Sequence, residues 1–199
     1  MDHACEYGAV REFRRSATCN DGAPLGVARL FIVWYSEPTP REVDMKIGLV
    51  VYSWSGHTKQ VFERLRDALS AKGRNASIVE VEVLGERPQG SRTFQLPDPD
   101  DLSAYDALVF GAAVEAFSLS PVMAEYLRRA VGLGGKKVAC LVSQQFPFAW
   151  MGGNRALRQM SKACKAQGAS VIGSAVVHWT SSKRESSIAA AVERISTLF

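Results

Sequence analysis

The segment Tyr52-Ser53-Trp54-Ser55-Gly56-His57-Thr58-Lys59 sets three hydroxyl side chains, Ser53, Ser55 and Thr58, around one glycine, between an apolar run and a stretch of helical period. Hydroxyls, a glycine that permits a tight turn and the unpaired backbone N–H groups of a helix N-terminus together make a cradle for an anion, above all a phosphate. The segment is neither a P-loop nor G-x-G-x-x-G, because the glycine spacing and the terminal Lys-Ser/Thr are missing. A Ser/Thr-rich turn also serves as an ordinary helix N-cap, so its place in the fold has to decide between the two roles. Elsewhere the reactive residue types are scattered. His3, His57 and His178 lie far apart in sequence. Cys5, Cys19, Cys140 and Cys164 form no C-x-x-C pair and no cluster with histidine, which supports neither a zinc site nor a disulfide framework. No acid–base or nucleophilic constellation is visible, so no catalytic residue and no metal ligand is assigned. Cys140 belongs to a buried apolar run and reads as inert, while His178 reads as the capped end of a strand.

The elements that must position the cradle begin at Met45. Lys46 to Tyr52 is a nearly continuous apolar run, as expected of a strand buried on both faces. Thr58 to Lys72 carries Val61, Leu65, Ala68 and Leu69 at helical spacing and stops at Gly73. Ile78 to Val83 alternates strictly and suits an edge strand. Asp106 to Ala112, Lys137 to Ser143 and Val171 to Val177 complete five strands. Ser120-Pro121 reads as an N-cap followed by an N1 proline, opening a helix to about Val131. Leu157, Met160 and Cys164 mark a helix that stops near Gly168, and Ile188, Val192, Ile195 and Phe199 mark the last one. The crossover from Gly85 to Tyr105 is rich in Pro, Gly and Asp and offers only a short helical turn near Asp100 to Ala104. Strands alternating with helices predict an α/β fold, a five-stranded parallel sheet, doubly wound, with helices on both faces and right-handed crossovers. In the strand order 2-1-3-4-5 the alternating second strand falls at an edge, in agreement with its pattern.

Length and charge bound the rest. The 199 residues suffice for one ordinary domain, and 47% hydrophobic with 22% charged residues is the balance of a folded globular protein rather than of a disordered or fibrous one. No run approaches the roughly 18 apolar residues of a spanning helix. Asp2 and Glu6 stand where a secretory signal needs basic residues, so a cytoplasmic location and no membrane association are expected. Residues 1–44 lack any sustained period and read as an irregular N-terminal extension; 45–199 read as the folded domain. The Arg41-Glu42-Val43-Asp44-Met45 stretch suggests a mis-assigned start, because a Glu-Val pair before Met can be encoded by a purine-rich ribosome-binding sequence; the alternative is a genuine extension. Five of the 24 Lys+Arg and seven of the 20 Asp+Glu precede Met45, which leaves nineteen against thirteen, or +6, in residues 45–199. These cations are dispersed over helices, as on solvated faces, and no nucleic-acid motif accompanies them, so nucleic acid is not an expected partner.

Ser53-x-Ser55-Gly56-His57-Thr58 after an apolar strand resembles the phosphate loop of the flavodoxin family, T/S-x-T/S-G-N-T, with His57 in place of the usual Asn. The resemblance extends through Asp106 to Gly111 with its following loop and through Lys137 to Asn154, so it covers essentially all of residues 45–199. It implies a flavodoxin-like fold and FMN as cofactor, with the FMN phosphate held by Ser53, Trp54, Ser55, Gly56, His57 and Thr58, although the side chain of Trp54 need not face the ligand. It implies also that the loops after the third and fourth strands sandwich the isoalloxazine ring. Those loops supply Ala113, Val114, Glu115, Ala116 and Phe117 on one side, and Ser143, Gln144, Phe148, Trp150, Gly152, Gly153 and Asn154 on the other. Phe117, Phe148 and Trp150 offer flat faces for stacking, and the glycine pair a backbone that can come close to a ligand. Gly152-Gly153-Asn154 further resembles the Gly-Gly element of the flavodoxin-like quinone reductases.

The resemblance implies electron transfer to a redox partner protein, favoured by the short length and the uninterrupted fifth strand. The alternative is an FMN-dependent NAD(P)H oxidoreductase acting on a quinone or similar small acceptor, with the basic surface attracting the nucleotide. A flavin-free interaction module is a third reading. The chain is expected to be a monomer or dimer. Family carriers resemble one another in being strongly acidic around the ring. Here Ser143 to Asn154 holds no Asp or Glu and the third-strand loop only Glu115, so a less negative low-potential couple is expected.

Overall fold

The computed structural model describes residues 45–85, 91, 93–180 and 182–199; the expectations for the N-terminal extension and its start site lie outside the described residues. The first strand, β1 (Lys46–Tyr52), is buried along its whole length after Lys46, as its unbroken apolar run requires. It runs into α1 (His57–Ala71), which buries Thr58, Val61, Phe62, Leu65 and Leu69. The edge strand β2 is Asn75–Glu80, three residues earlier than the alternating pattern suggests. Among the described residues its only strand neighbour is β1, and the parallel register from Lys46↔Asn75 to Val51↔Glu80 sets its limits. The alternation continues past the strand because Val81 and Val83 still turn toward the core as the crossover begins. Within the crossover Asp101 caps a short 3-10 turn, Leu102–Ala104, by accepting from the N–H of Ser103.

The third strand, β3 (Ala107–Glu115), continues three residues beyond the expected end at Ala112. A two-residue strand, β4 (Ser118–Leu119), folds back on it antiparallel, pairing Val114↔Leu119 and Glu115↔Ser118. Among the described residues the sheet therefore has six strands rather than five. Next comes α2 (Pro121–Arg129), which ends before the expected Val131 because Val131 bridges to Asp101 in extended backbone. Ser120 precedes it, but its hydroxyl makes no cap hydrogen bond and donates instead to Glu115 Oε1 at 2.6 Å. The remaining elements are β5 (Lys137–Gln144), α3 (Gly153–Ala166), β6 (Ser170–His178) and α4 (Arg184–Ser196). Ser143 and Gln144 thus lie in a strand, and Gly153 and Asn154 in a helix, at the two ends of what reads in sequence as one loop.

The order β2-β1-β3-β5-β6 is the expected doubly wound order, with the short β4 appended to β3. One face packs α2 and α3 against Val50, Phe110, Cys140 and Val142; the other packs α1 and α4 against Leu49, Val51, Val109 and Leu141. Gly111 is demanded by this packing: a Cβ there would lie 2.1 Å from Cε2 of the buried Phe62. Cys140 and Cys164 are both buried, and the hydrogen bond with Cys164 together with burial pushes the Cys140 thiol pKa upward, consistent with an unreactive group. Among the described residues no helix is long and apolar enough to cross a membrane.

Candidate functional site

The C-terminal ends of β1, β3, β5 and β6 bring four loops together at one edge of the sheet. At the end of β1 the chain turns through Gly56, whose φ of 79° lies in the left-handed region and whose missing Cβ would have no atom within 4 Å. That geometry explains the glycine and leaves the space above the turn open. The N–H of Thr58 donates to Ser53 Oγ (3.1 Å), and the N–H of Gln60 to the carbonyl of Gly56 (3.0 Å). The turn is thus held by its own first hydroxyl, with the positive end of the α1 dipole behind it. Thr58 is fully buried, and its Oγ1 lies 2.8 Å from Ser143 Oγ, tying the start of α1 to the end of β5. Lys59, one residue on, is held by Glu80 at 2.5 Å, and that hydrogen-bonded carboxylate raises its pKa.

Beside the turn lies an enclosed space of about 70 Å³. The first loop gives it Trp54, Ser55 and His57; β3 gives Ala113, Val114 and Glu115; β5 and the following residue give Ser143, Gln144 and Gln145. Three sequence-derived segments therefore converge here. The fourth contributor, Trp179, is not among the residues singled out from sequence. It follows β6 directly and stacks on His57 with ring centroids 4.1 Å apart at 19°, while the Arg184 guanidinium stands 5.2 Å from its ring centroid. An aromatic residue at the end of the last parallel strand is the signal that could have identified it.

The β3–β4 connection is a two-residue hairpin turn at Ala116 and Phe117, with φ of 45° and 59°. Positive φ at both central positions is the pattern of a type I′ turn, usually filled by Asn-Gly. The turn presents Phe117, half exposed, against Phe146 of the β5–α3 loop, the rings stacked 5.2 Å apart. Phe146 is a second residue that the sequence reading leaves out. Phe148 and Trp150 stack on each other farther along that loop at 6.1 Å and lie outside the enclosed space. The loop is anchored by Gln144, whose Nε2 donates to the carbonyls of Phe146 (2.8 Å) and Phe148 (2.7 Å). His178 Nδ1 lies 3.0 Å from the Phe146 carbonyl as well, and its backbone N–H donates to Ser187 Oγ, so it acts as a strand-end anchor. The Asn154 N–H closes the loop on the Ala149 carbonyl at 2.8 Å.

Gly152 and Gly153 approach protein rather than open space. A Cβ on Gly152, at φ 111°, would lie 2.8 Å from Phe117 Cα and from Val114 Cγ1; one on Gly153 would lie 2.5 Å from Gln144 Oε1. The pair lets α3 begin directly beneath the hairpin. Gln144 Oε1 is itself buried and has no hydrogen-bond partner among the described residues. Among the described residues Glu115 is the one carboxylate lining the enclosed space, and it also faces, with Ala116, a groove of about 1130 Å³ on the other side of the hairpin. That groove carries Arg128, Arg129 and Arg155. Arg128 is paired with Glu125, and Arg129 with Asp98.

No family model and no curated protein matches the chain. Solved structures do. The chain is similar to a putative flavoprotein from Bacteroides uniformis at 12% identity and TM-score 0.56, covering 73% of this chain and 97% of that one. It is similar also to a flavodoxin of Streptococcus pneumonia TIGR4 at 12% identity and TM-score 0.55, covering 77% and 99%. Flavodoxin 2 from Bacillus cereus is similar at 18% identity and TM-score 0.54, again covering 77% and 99%. At these identities the likeness establishes the fold, which is flavodoxin-like.

Proposed function

We propose that the four-loop edge binds FMN and that the protein works in electron transfer. The observation that carries this reading is the Ser53–Thr58 turn, with its left-handed glycine and open space, standing where β1 gives way to α1 at the switch point between β1 and β3. The residues present suit the cofactor. The open turn accepts a phosphate, and the exposed aromatics of the hairpin and the β5–α3 loop offer faces for a flat ring. Gln144 Oε1 is a buried acceptor still lacking a donor. Bound FMN would supply one- and two-electron redox chemistry. The chain's part is to hold it: Ser53, Ser55 and the first-turn N–H groups of α1 at the phosphate, Phe117 and Phe146 at the ring, and Gln144 to keep the aromatic loop in place. The enclosed space of about 70 Å³ is well below the roughly 300–1,000 Å³ of sites that bury a ligand. A ring held here keeps an open edge, the arrangement that electron exchange with a docked redox partner in the cytoplasm needs.

A specific feature favours a second reading, turnover with NAD(P)H and a small acceptor such as a quinone. The groove of about 1130 Å³ across the hairpin is roomy enough for a nucleotide and carries three arginines. Purified full-length protein is the test. One FMN per chain, identified by absorbance and by mass spectrometry of the denatured sample, supports the cofactor reading; failure to bind added FMN overturns it. Steady NAD(P)H consumption with a quinone selects the enzyme, and its absence selects the carrier.

A further inference from the structure

Next to the arginine groove, with Leu96 lining both, a crevice of about 290 Å³ opens between the end of β2 and the Leu96–Asp100 stretch of the crossover. The charged residues that line it are all acidic: Glu80, Glu82, Asp98 and Asp100. Two of these are already neutralised, Glu80 by Lys59 and Asp98 by Arg129. Glu82 and Asp100 have no hydrogen-bond or ion-pair partner among the described residues, although residues 45–199 carry a formal +6. The second observation is Tyr126. It lines the crevice from α2, is 4% exposed, and its hydroxyl is buried without any hydrogen-bond partner among the described residues. Buried hydroxyls are nearly always paired, so an orphan beside unpaired carboxylates marks a place where a donor is missing. Burial and the nearby Asp100 push its pKa up to about 12, so it stays a neutral phenol whose oxygen can accept.

We propose that this crevice binds a small organic cation, an alkylguanidinium or alkylammonium, with Glu82, Asp100 and the Tyr126 hydroxyl accepting from its N–H groups. Val81, Leu96, Pro97 and Pro99 supply an apolar wall for the methylene stem. A guanidinium fits best, because its flat fork of donors serves several acceptors at once and sheds water more easily than an ammonium does. A metal ion is the weaker occupant, since among the described residues no three His, Cys, Asp or Glu side chains stand together as metal ligands. The site does not depend on the flavin reading, because it lies away from the enclosed space between the four loops.

The test is calorimetric titration of the full-length protein with agmatine at low salt, alongside tetramethylammonium and Mg²⁺ at matched ionic strength. Saturable 1:1 binding of agmatine is expected, weakened at least about tenfold in the Glu82→Gln/Asp100→Asn variant and about three- to tenfold in Tyr126→Phe, the range for lost charged and neutral hydrogen bonds. A shift of the Tyr126 ζ-carbon resonance on titration should accompany binding. Both variants should keep the wild-type circular dichroism and flavin content, which separates loss of the site from loss of the fold. No saturation by about 10 mM agmatine, a Kd range that is already very weak, would overturn the proposal. Equal affinity in the double variant, or equally tight binding of tetramethylammonium, which carries charge but no N–H, would do so too.

Discussion

The 2.8 Å contact between Thr58 Oγ1 and Ser143 Oγ is the direct link between the Ser53–Thr58 turn and the strand that launches the aromatic loop. Both residues are buried, at 0% and 4% exposure, so water cannot replace either partner. Thr58→Val keeps the shape of the side chain and removes the hydroxyl, leaving Ser143 Oγ unpaired in the core. Stranding a buried hydroxyl costs about 1–3 kcal/mol, and Ser143→Ala, which strands Thr58, should cost a similar amount. Removing both groups leaves nothing unpaired, so the double variant should lose less than the two singles together, by a coupling of about 1–2 kcal/mol. In urea, with a slope of about 1–3 kcal/mol/M, a loss of 2 kcal/mol moves the midpoint by roughly 1 M, which equilibrium unfolding resolves easily. FMN affinity should fall in each single variant and recover partly in the double, because the contact aligns the two halves of the site. A Thr58→Val cost below about 0.5 kcal/mol, or strict additivity in the double, would refute the idea that this pair is a structural link.

Glu115→Gln, which removes the carboxylate lining the enclosed space, should make the low-potential couple of bound flavin less negative by tens of millivolts in a redox titration, at ~40 mV for each kcal/mol of repulsion removed. The wild-type couple should itself be less negative than in carriers with acidic loops. The Tyr126 pKa is raised in the folded state to about 12 from 10.0, so its contribution to stability is fully present below pH 10 and lost as pH rises toward 12. Unfolding free energy should drop by about 2 kcal/mol across that window and the drop should flatten in Tyr126→Phe, a change that denaturation at stepped pH would detect. Gly111→Ala drives a methyl to 2.1 Å from Phe62 Cε2 and should destabilise the protein by about 1–3 kcal/mol, with partial rescue by Phe62→Leu in the same assay.

Much of the fold can be read from local pattern because each central strand is buried on both faces and so carries an unbroken apolar run, as in Lys46 to Tyr52 and Lys137 to Val142. The Ser53–Thr58 turn was legible for a related reason: its glycine and hydroxyls act on their own neighbours in the chain. Features set by distant partners were not legible. The strand β4 is two residues long and exists only because β3 lies beside it, and Ala116-Phe117 lacks the Asn-Gly signature that announces such a hairpin. Trp179 stacks on a residue more than a hundred positions away, and no spacing rule encodes that pairing. Gly152 and Gly153 were recognisable as a close approach, but what they approach, the hairpin and Gln144, follows only from the tertiary packing.

The Ala116–Phe117 hairpin tip has a consequence for how this chain can be altered. Two side-chain-bearing residues in left-handed backbone hold strain of order 1–3 kcal/mol each, which Asn-Gly would relieve. A search for heat-resistant variants should therefore select that replacement early. The same replacement deletes the Phe117 ring from its stack with Phe146. Thermostability and the proposed flavin site are thus set against each other at two adjacent codons, and libraries screened for heat resistance alone should drift toward well-folded proteins in which that site has lost its Phe117–Phe146 stack.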